Sequence, residues 1–190
     1  MSKNIIIVSG LPRSGTSMMM KMLEAGGAPV IADHQRTADE DNPKGYYEFE
    51  KVKQLKQDSS WLKEANGKVV KMVSMLLYDL PAEYQYKIIF MRRKIPEIIA
   101  SQQTMLAHKG KHTTAAEDKE VAELFEQHLA SITNWLGQQQ NIEVLYPWYH
   151  DILADPAKQI DQINTFLGEQ LNIEKMTQVV DQALYRNRVV

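Results

Sequence analysis

The sequence predicts an α/β domain of three layers, with helices on both faces of a central, mostly parallel sheet of about five strands. Three observations lead there. Short runs rich in β-branched and aromatic residues recur along the chain, each followed by a segment with helical apolar spacing. The first run passes straight into a glycine-bracketed loop and a helix, a unit that parallel sheets use to receive anions. No repeat, low-complexity tract or Pro/Ser-rich linker interrupts the 190 residues, so one domain over 1–190 is expected.

Composition narrows the function classes. A formal net charge of -2 argues against a general nucleic-acid binder while leaving a local basic patch open. With no cysteine, disulfides, thiolate catalysis and cysteine-ligated zinc are all excluded. The apolar run after Lys3 and Asn4 is only four residues, too short for a signal peptide or a membrane span. A cytoplasmic protein with no membrane contact is therefore expected.

The first strand covers residues 5–8 and leads to Gly10, Leu11, Pro12, Arg13, Ser14 and Gly15. A strand, a tight loop and a helix N-terminus form an anion cradle, because backbone N–H groups converge there and the helix dipole adds partial positive charge. The glycines permit close approach of the backbone, and Arg13, Ser14, Thr16 and Ser17 add donors. The stretch reads G-x-x-x-x-G-T-S, P-loop-like in its glycine spacing. The lysine of G-x-x-x-x-G-K-[ST] is replaced by Thr16, which weakens an ATP-hydrolysis reading. Met18, Met19, Met22 and Leu23 fall on one face of the following helix and read as core. Gly26 and Gly27 stop that helix, and residues 28–32 are a second short strand.

Residues 33–48 are polar and end in Asn42-Pro43-Lys44-Gly45-Tyr46-Tyr47-Glu48, strong turn chemistry beside two aromatics. Such a loop in a compact domain is commonly functional. Residues 49–66 read as helical, anchored by Trp61 and Leu62 and stopped by Asn66-Gly67. Residues 68–72 form the next strand, with Lys71 at its carboxyl end. Ligands of open α/β sheets sit outside those ends, so Lys71 either faces the loop or reaches solvent.

Residues 86–92 make another strand, followed by Arg93 and a helix with Pro96 near its start and Glu97 in its first turn. Arg93 and Ser101 are eight residues apart. A strand-end guanidinium and a helix hydroxyl at that spacing can hold a second phosphate, or Arg93 can serve a structural ion pair. His108 and His112 have a metal-like spacing, but Gly110 breaks the helix and no third ligand is near. No metal is expected there, and 108–112 reads as a mobile basic loop. Thr114 and Glu117 form a capping box for a long helix with Val121, Phe125, Leu129, Ile132 and Trp135 inward. Residues 142–146 are the last strand. Tyr149, Asp151 and Asp155-Pro156 lead to Ile160, Ile163, Phe166 and Leu167 before a stop at Gly168, a pattern of core and capping. A final helix runs from about Asn172 to near residue 188, where Arg186 and Arg188 either reach a phosphate or favour the helix C-terminus.

Pro12-Arg13-Ser14-Gly15-Thr16-Ser17 resembles the 5′-phosphosulfate loop of the sulfotransferases, P-[KR]-S-G-T-[ST]. Arg93 and Ser101 keep both residues and the spacing of that family's 3′-phosphate motif, with its proline displaced to Pro96. The 42–48 segment resembles one that borders the acceptor site in a bacterial branch. The pattern from Tyr149 to Gly168 resembles the family's C-terminal region. Together these anchors span nearly the whole chain. The resemblance implies 3′-phosphoadenosine-5′-phosphosulfate as sulfuryl donor, bound by Pro12, Arg13, Ser14, Gly15, Thr16, Ser17, Arg93 and Ser101, with no metal. It implies in-line transfer to a hydroxyl or amine of a small-molecule acceptor, with Arg13 and Lys71 stabilising the transferring group and the leaving phosphate. Lys71 matches the lysine of a Lys-Thr-His run in the animal cytosolic enzymes, but Val73 stands where the histidine would be. The base must then come from elsewhere: Glu48 is expected, with His34 and Asp33 behind it. Two other classes fit the loop, a P-loop kinase turning over magnesium-ATP and a non-catalytic nucleotide-binding module.

Overall fold

In the computed structural model, which describes residues 4–33, 45–168 and 170–181, strand β1 (Ile5–Gly10) is the middle of a five-stranded sheet. Its neighbours are β2 (Val30–Ile31), β3 (Val69–Lys71), β4 (Tyr86–Met91) and β5 (Ile142–Leu145), in the order β2-β3-β1-β4-β5. Every pairing is parallel. Such a sheet needs crossovers and cover on both faces. The helices are α1 (Thr16–Ala25), α2 (Ile95–His108), α3 (Ala115–Leu136), α4 (Tyr149–Ala154), α5 (Pro156–Leu167) and α6 (Ile173–Val179).

Alternating strand residues feed two cores, which accounts for three layers. On one face Ile5, Ile7, Val70, Met72, Ile88 and Phe90 pack with Trp61, Leu62, Leu77, Ile132 and Leu136. On the other, Val8, Val69, Ile89 and Met91 pack with Met19, Met22, Leu23, Ile152, Ile160 and Met176. The methionine stripe of α1 is core as expected, with Met20 buried as well and Met18 only in part. Methionine suits this position because its unbranched chain fills the irregular space between α1 and α6.

Two expected elements differ. Residues 49–66 form two short 3-10 helices, Glu50–Gln54 and Ser60–Ala65, instead of one helix. Between them the Asp58 carboxylate accepts the Ser60 N–H at 2.9 Å, a local bond that competes with helix continuation. The anchors Trp61 and Leu62 are nevertheless buried. The last helix ends at Val179, where Val180 turns extended. Residues 182–190, with Arg186 and Arg188, lie outside the described residues, as do 34–44. A further 3-10 helix, Ser74–Asp79, follows β3.

Capping chemistry matches the reading from sequence. Thr114 accepts the Glu117 N–H while Glu117 accepts the Thr114 N–H, and Gly168 ends α5 with φ of 100°. At 22 residues α3 is about 33 Å long. Only its C-terminal half packs deeply, through Ile132 and Leu136, while Val121 and Phe125 are half-buried. Thr114→Ala is expected to lower stability by about 1 kcal/mol, read as a shifted urea midpoint at unchanged slope.

Candidate donor and acceptor site

The site is assembled by register. β1 and β4 pair from Ile5↔Tyr86 to Gly10↔Met91, so both strands end at one level. The loop of residues 11–15 and the Arg92-Arg93 pair therefore leave the sheet side by side. On the other side of β1, Lys71 pairs with Val8, two residues short of the loop. The chain reaches β2 and β3 on one side of β1 and β4 and β5 on the other, so the ends of β1 and β4 are a topological switch point.

Gly10 and Gly15 are required by space and by backbone. A Cβ on Gly10, at φ of 145°, would lie 2.6 Å from Ser14 Oγ and 2.7 Å from the Met91 carbonyl. One on Gly15, at φ of 99°, would enter the Tyr149 ring at 2.5 Å. Arg13 adopts φ of 66°, a conformation that disfavours a side chain by about 1–2 kcal/mol. Its backbone carbonyl is held in place by Arg93 Nη1, which donates to it at 3.0 Å. α1 begins at Thr16 with no side-chain cap and no acidic residue in its first turn, leaving the dipole's positive end toward the loop. Ser14 is buried and its hydroxyl has no hydrogen-bond partner among the described residues. Pro12 is exposed, and Thr16 and Ser17 are half-buried at the helix start.

Residues far apart in sequence converge on this loop. Arg13 Nε donates to Ser101 Oγ at 3.0 Å. Arg93 Nε meets the Glu97 carboxylate at 3.1 Å, and the guanidinium lies over the Tyr149 ring, 4.6 Å from its centroid. Glu97 is fully buried and Arg93 nearly so, so the guanidinium is held from three directions. Burial pushes the Tyr149 phenol up, against the pull of Arg93. A small depression beside them is lined by Leu11, Ser14, Met91, Arg92, Arg93, Ile98 and Leu129.

Lys71 projects from β3 to donate to the Tyr46 carbonyl, which ties it to the 45–48 segment. Tyr46 is buried, and Tyr47 donates its hydroxyl to Glu24 at the end of α1. Burial, and then Glu24, push the Tyr47 phenol up. Glu48 accepts the Asp33 N–H at its carbonyl, and its charge acts on exposed Lys53. Asp33 is used structurally, its carboxylate accepting the Glu50 N–H at 2.8 Å. His34 lies outside the described residues.

The loop, Arg93 and Ser101 thus come together, while Lys71 and Glu48 sit on the β3 side. Sequence reasoning left Glu97 and Tyr149 out of the site. Glu97 carried a signal in its four-residue spacing from Arg93; Tyr149 carried none, because its contacts with Gly15 and Arg93 exist only once β5 lies beside β4. Among the described residues no group of three His, Asp or Glu side chains could hold a metal, and no helix is long and apolar enough to cross a membrane.

Fold and loop together define an α/β protein that presents a phosphate-type cradle at the carboxyl ends of a parallel sheet. The chain belongs to the sulfotransferase domain family, whose model matches residues 3–188. It is accordingly a sulfotransferase, a transferase of sulfur-containing groups. Its fold is similar to that of the sulfotransferase STF1 from Mycobacterium tuberculosis H37Rv, at TM-score 0.60 and 17% identity over 96% of this chain and 72% of that one. The mouse sulfotransferase SULT7A1, complexed with PAP, is similar at TM-score 0.60 and 17% identity over 98% and 68%. The sulfotransferase domain from the curacin biosynthetic pathway is similar at 0.55 and 17% over 94% and 78%. No curated protein is similar enough in sequence to count as a relative.

Gly10→Ala is expected to destabilise the protein by about 1–3 kcal/mol, because the Met91 carbonyl that its Cβ meets is backbone. A lowered Tm together with weakened binding of inorganic sulfate or phosphate checks this.

Proposed function

We propose that the loop of residues 12–17, with Arg93 and Ser101, binds 3′-phosphoadenosine-5′-phosphosulfate, and that the sulfuryl group passes to a hydroxyl or amine of a small-molecule acceptor. The carrying observation is the meeting of the two phosphate-type sets: Arg13 bonds Ser101 and Arg93 bonds the Arg13 carbonyl, across 88 and 80 residues of sequence. The residues fit the donor. Ser14 offers a buried hydroxyl without a partner among the described residues, Gly10 lets the loop close against Ser14 and Met91, and Arg13 and Arg93 supply cations. PAP in the mouse SULT7A1 complex is in keeping with this donor class. The family match over 3–188 supports treating 1–190 as one domain.

When bound, the donor supplies a sulfuryl group whose bond to the 5′-phosphate oxygen breaks as the acceptor attacks in line. Arg13 and the loop N–H groups stabilise charge on the transferring group and the leaving phosphate. Ser101 and Arg93 hold the 3′-phosphate, and Glu97 and Tyr149 keep the Arg93 guanidinium oriented before binding. This preorganisation lowers the reorganisation needed on binding. Lys71, gripping the Tyr46 carbonyl, couples the 45–48 segment to the donor side and supplies a further cation. Glu48 on that segment is the carboxylate that sequence reasoning offers as base.

Calorimetric titration with PAP and, separately, with magnesium-ATP tests the donor. Wild type is expected to prefer PAP, and Arg93→Ala to lose about 1.5–3 kcal/mol of its binding, the worth of a charge-assisted bond. Magnesium-ATP bound without preference for a 3′-phosphate would sink this reading and promote a kinase.

A further inference from the structure

Beyond Lys71, β3 runs into Met72 and Val73, neither of which can take a proton. The next residue, Ser74, is buried, and its hydroxyl pairs with Nε2 of His128 from α3 at 2.8 Å. Around that pair lie the large hydrophobic side chains exposed among the described residues. Val73, Met75 and Tyr78 come from the turn after β3, and Leu124 precedes His128 by four residues on the same helix face. Tyr78 meets the imidazole edge-on at 6.3 Å between centroids. The next residue of α3, Leu129, lines the depression beside Ser14 and Arg93. Among the described residues His128 has no carboxylate partner, and it is thus set between an apolar surface and the turn of α3 whose Leu129 reaches the depression beside Ser14 and Arg93.

We infer that His128, rather than Glu48, is the general base of transfer, and that the acceptor is an alcohol or phenol whose apolar body lies on Val73, Met75, Tyr78 and Leu124. This rests on the sulfotransferase donor site proposed above. With Nε2–H donating to Ser74 Oγ, the lone pair that receives the proton lies on Nδ1. The acceptor's O–H proton passes to Nδ1 as its oxygen bonds to sulfur. The sulfur–oxygen bond to the 5′-phosphate breaks, and its electron pair leaves on the phosphate oxygen. Burial holds His128 below its ordinary range, so the imidazole is neutral and able to accept near pH 7. Ser74 is a positioning residue.

The test measures sulfuryl transfer from 3′-phosphoadenosine-5′-phosphosulfate to phenol and to the more acidic 4-nitrophenol, with PAP affinity measured in parallel. His128→Gln, which can still bond Ser74, is expected to lower kcat for phenol by about 100-fold or more. The loss for 4-nitrophenol, which needs a base less, is smaller, and PAP affinity stays within about threefold, a span that structural relaxation alone covers. Added imidazole restores part of the activity of His128→Ala. A wild-type rate in His128→Gln, an equal loss with both acceptors, or a large loss confined to Glu48→Gln would each overturn the assignment. Failure of the wild type to transfer to either phenol while PAP binds overturns the acceptor class. Failure of PAP itself to bind removes the donor reading, and this inference with it.

Discussion

The parallel register between β1 and β4 is the constraint on which the site depends. Because Gly10 stands opposite Met91, the loop that follows one strand and the arginines that follow the other emerge together. Arg93 then closes the arrangement through the Arg13 carbonyl. That bond matters because Arg13 is in a left-handed conformation that a side chain disfavours, and a fixed acceptor geometry offsets the strain. A shift of one residue in the pairing would separate the two phosphate-type sets and turn the strand side chains to opposite cores.

Rigidity at this junction has a clear origin. Arg93 and Glu97 are both buried, so removing either leaves an uncompensated charge, a loss of about 3–5 kcal/mol in such pairs. The Tyr149 ring covers the guanidinium and also fills the space over Gly15, so one aromatic packs against both phosphate-type sets. The loop side of the site is thus built from groups that already hold each other. The β3 side is held differently, by one lysine on a backbone carbonyl and by Tyr47 on Glu24.

Division of the sheet into two cores also divides the work. The face carrying α1, α4, α5 and α6 fixes the loop's helix through buried methionines. The other face carries α3, whose Ile132 and Leu136 anchor it while Leu129 reaches the depression beside the loop. Its neighbour His128 is presented to the turn after β3. The glycine-bracketed loop and the apolar surface therefore meet where the two faces share the sheet's carboxyl edge.

Much of this was legible in the residues themselves. Runs such as Ile5-Ile6-Ile7-Val8, the two glycines around Arg13, the Arg93–Ser101 spacing and the Thr114 capping box are local patterns, and backbone periodicity or a single turn decides them. Where local chemistry was ambiguous the reading slipped, as at 49–66, where Asp58 and its serines favour two tight turns over one helix. The pairings Arg13–Ser101, Tyr149–Gly15, Lys71–Tyr46 and Ser74–His128 were decided by tertiary structure alone. Local sequence determines which residues share a strand, a turn or a helix face. Which of those faces meet depends on sheet order and register, and these follow from burying all the strands and helices at once.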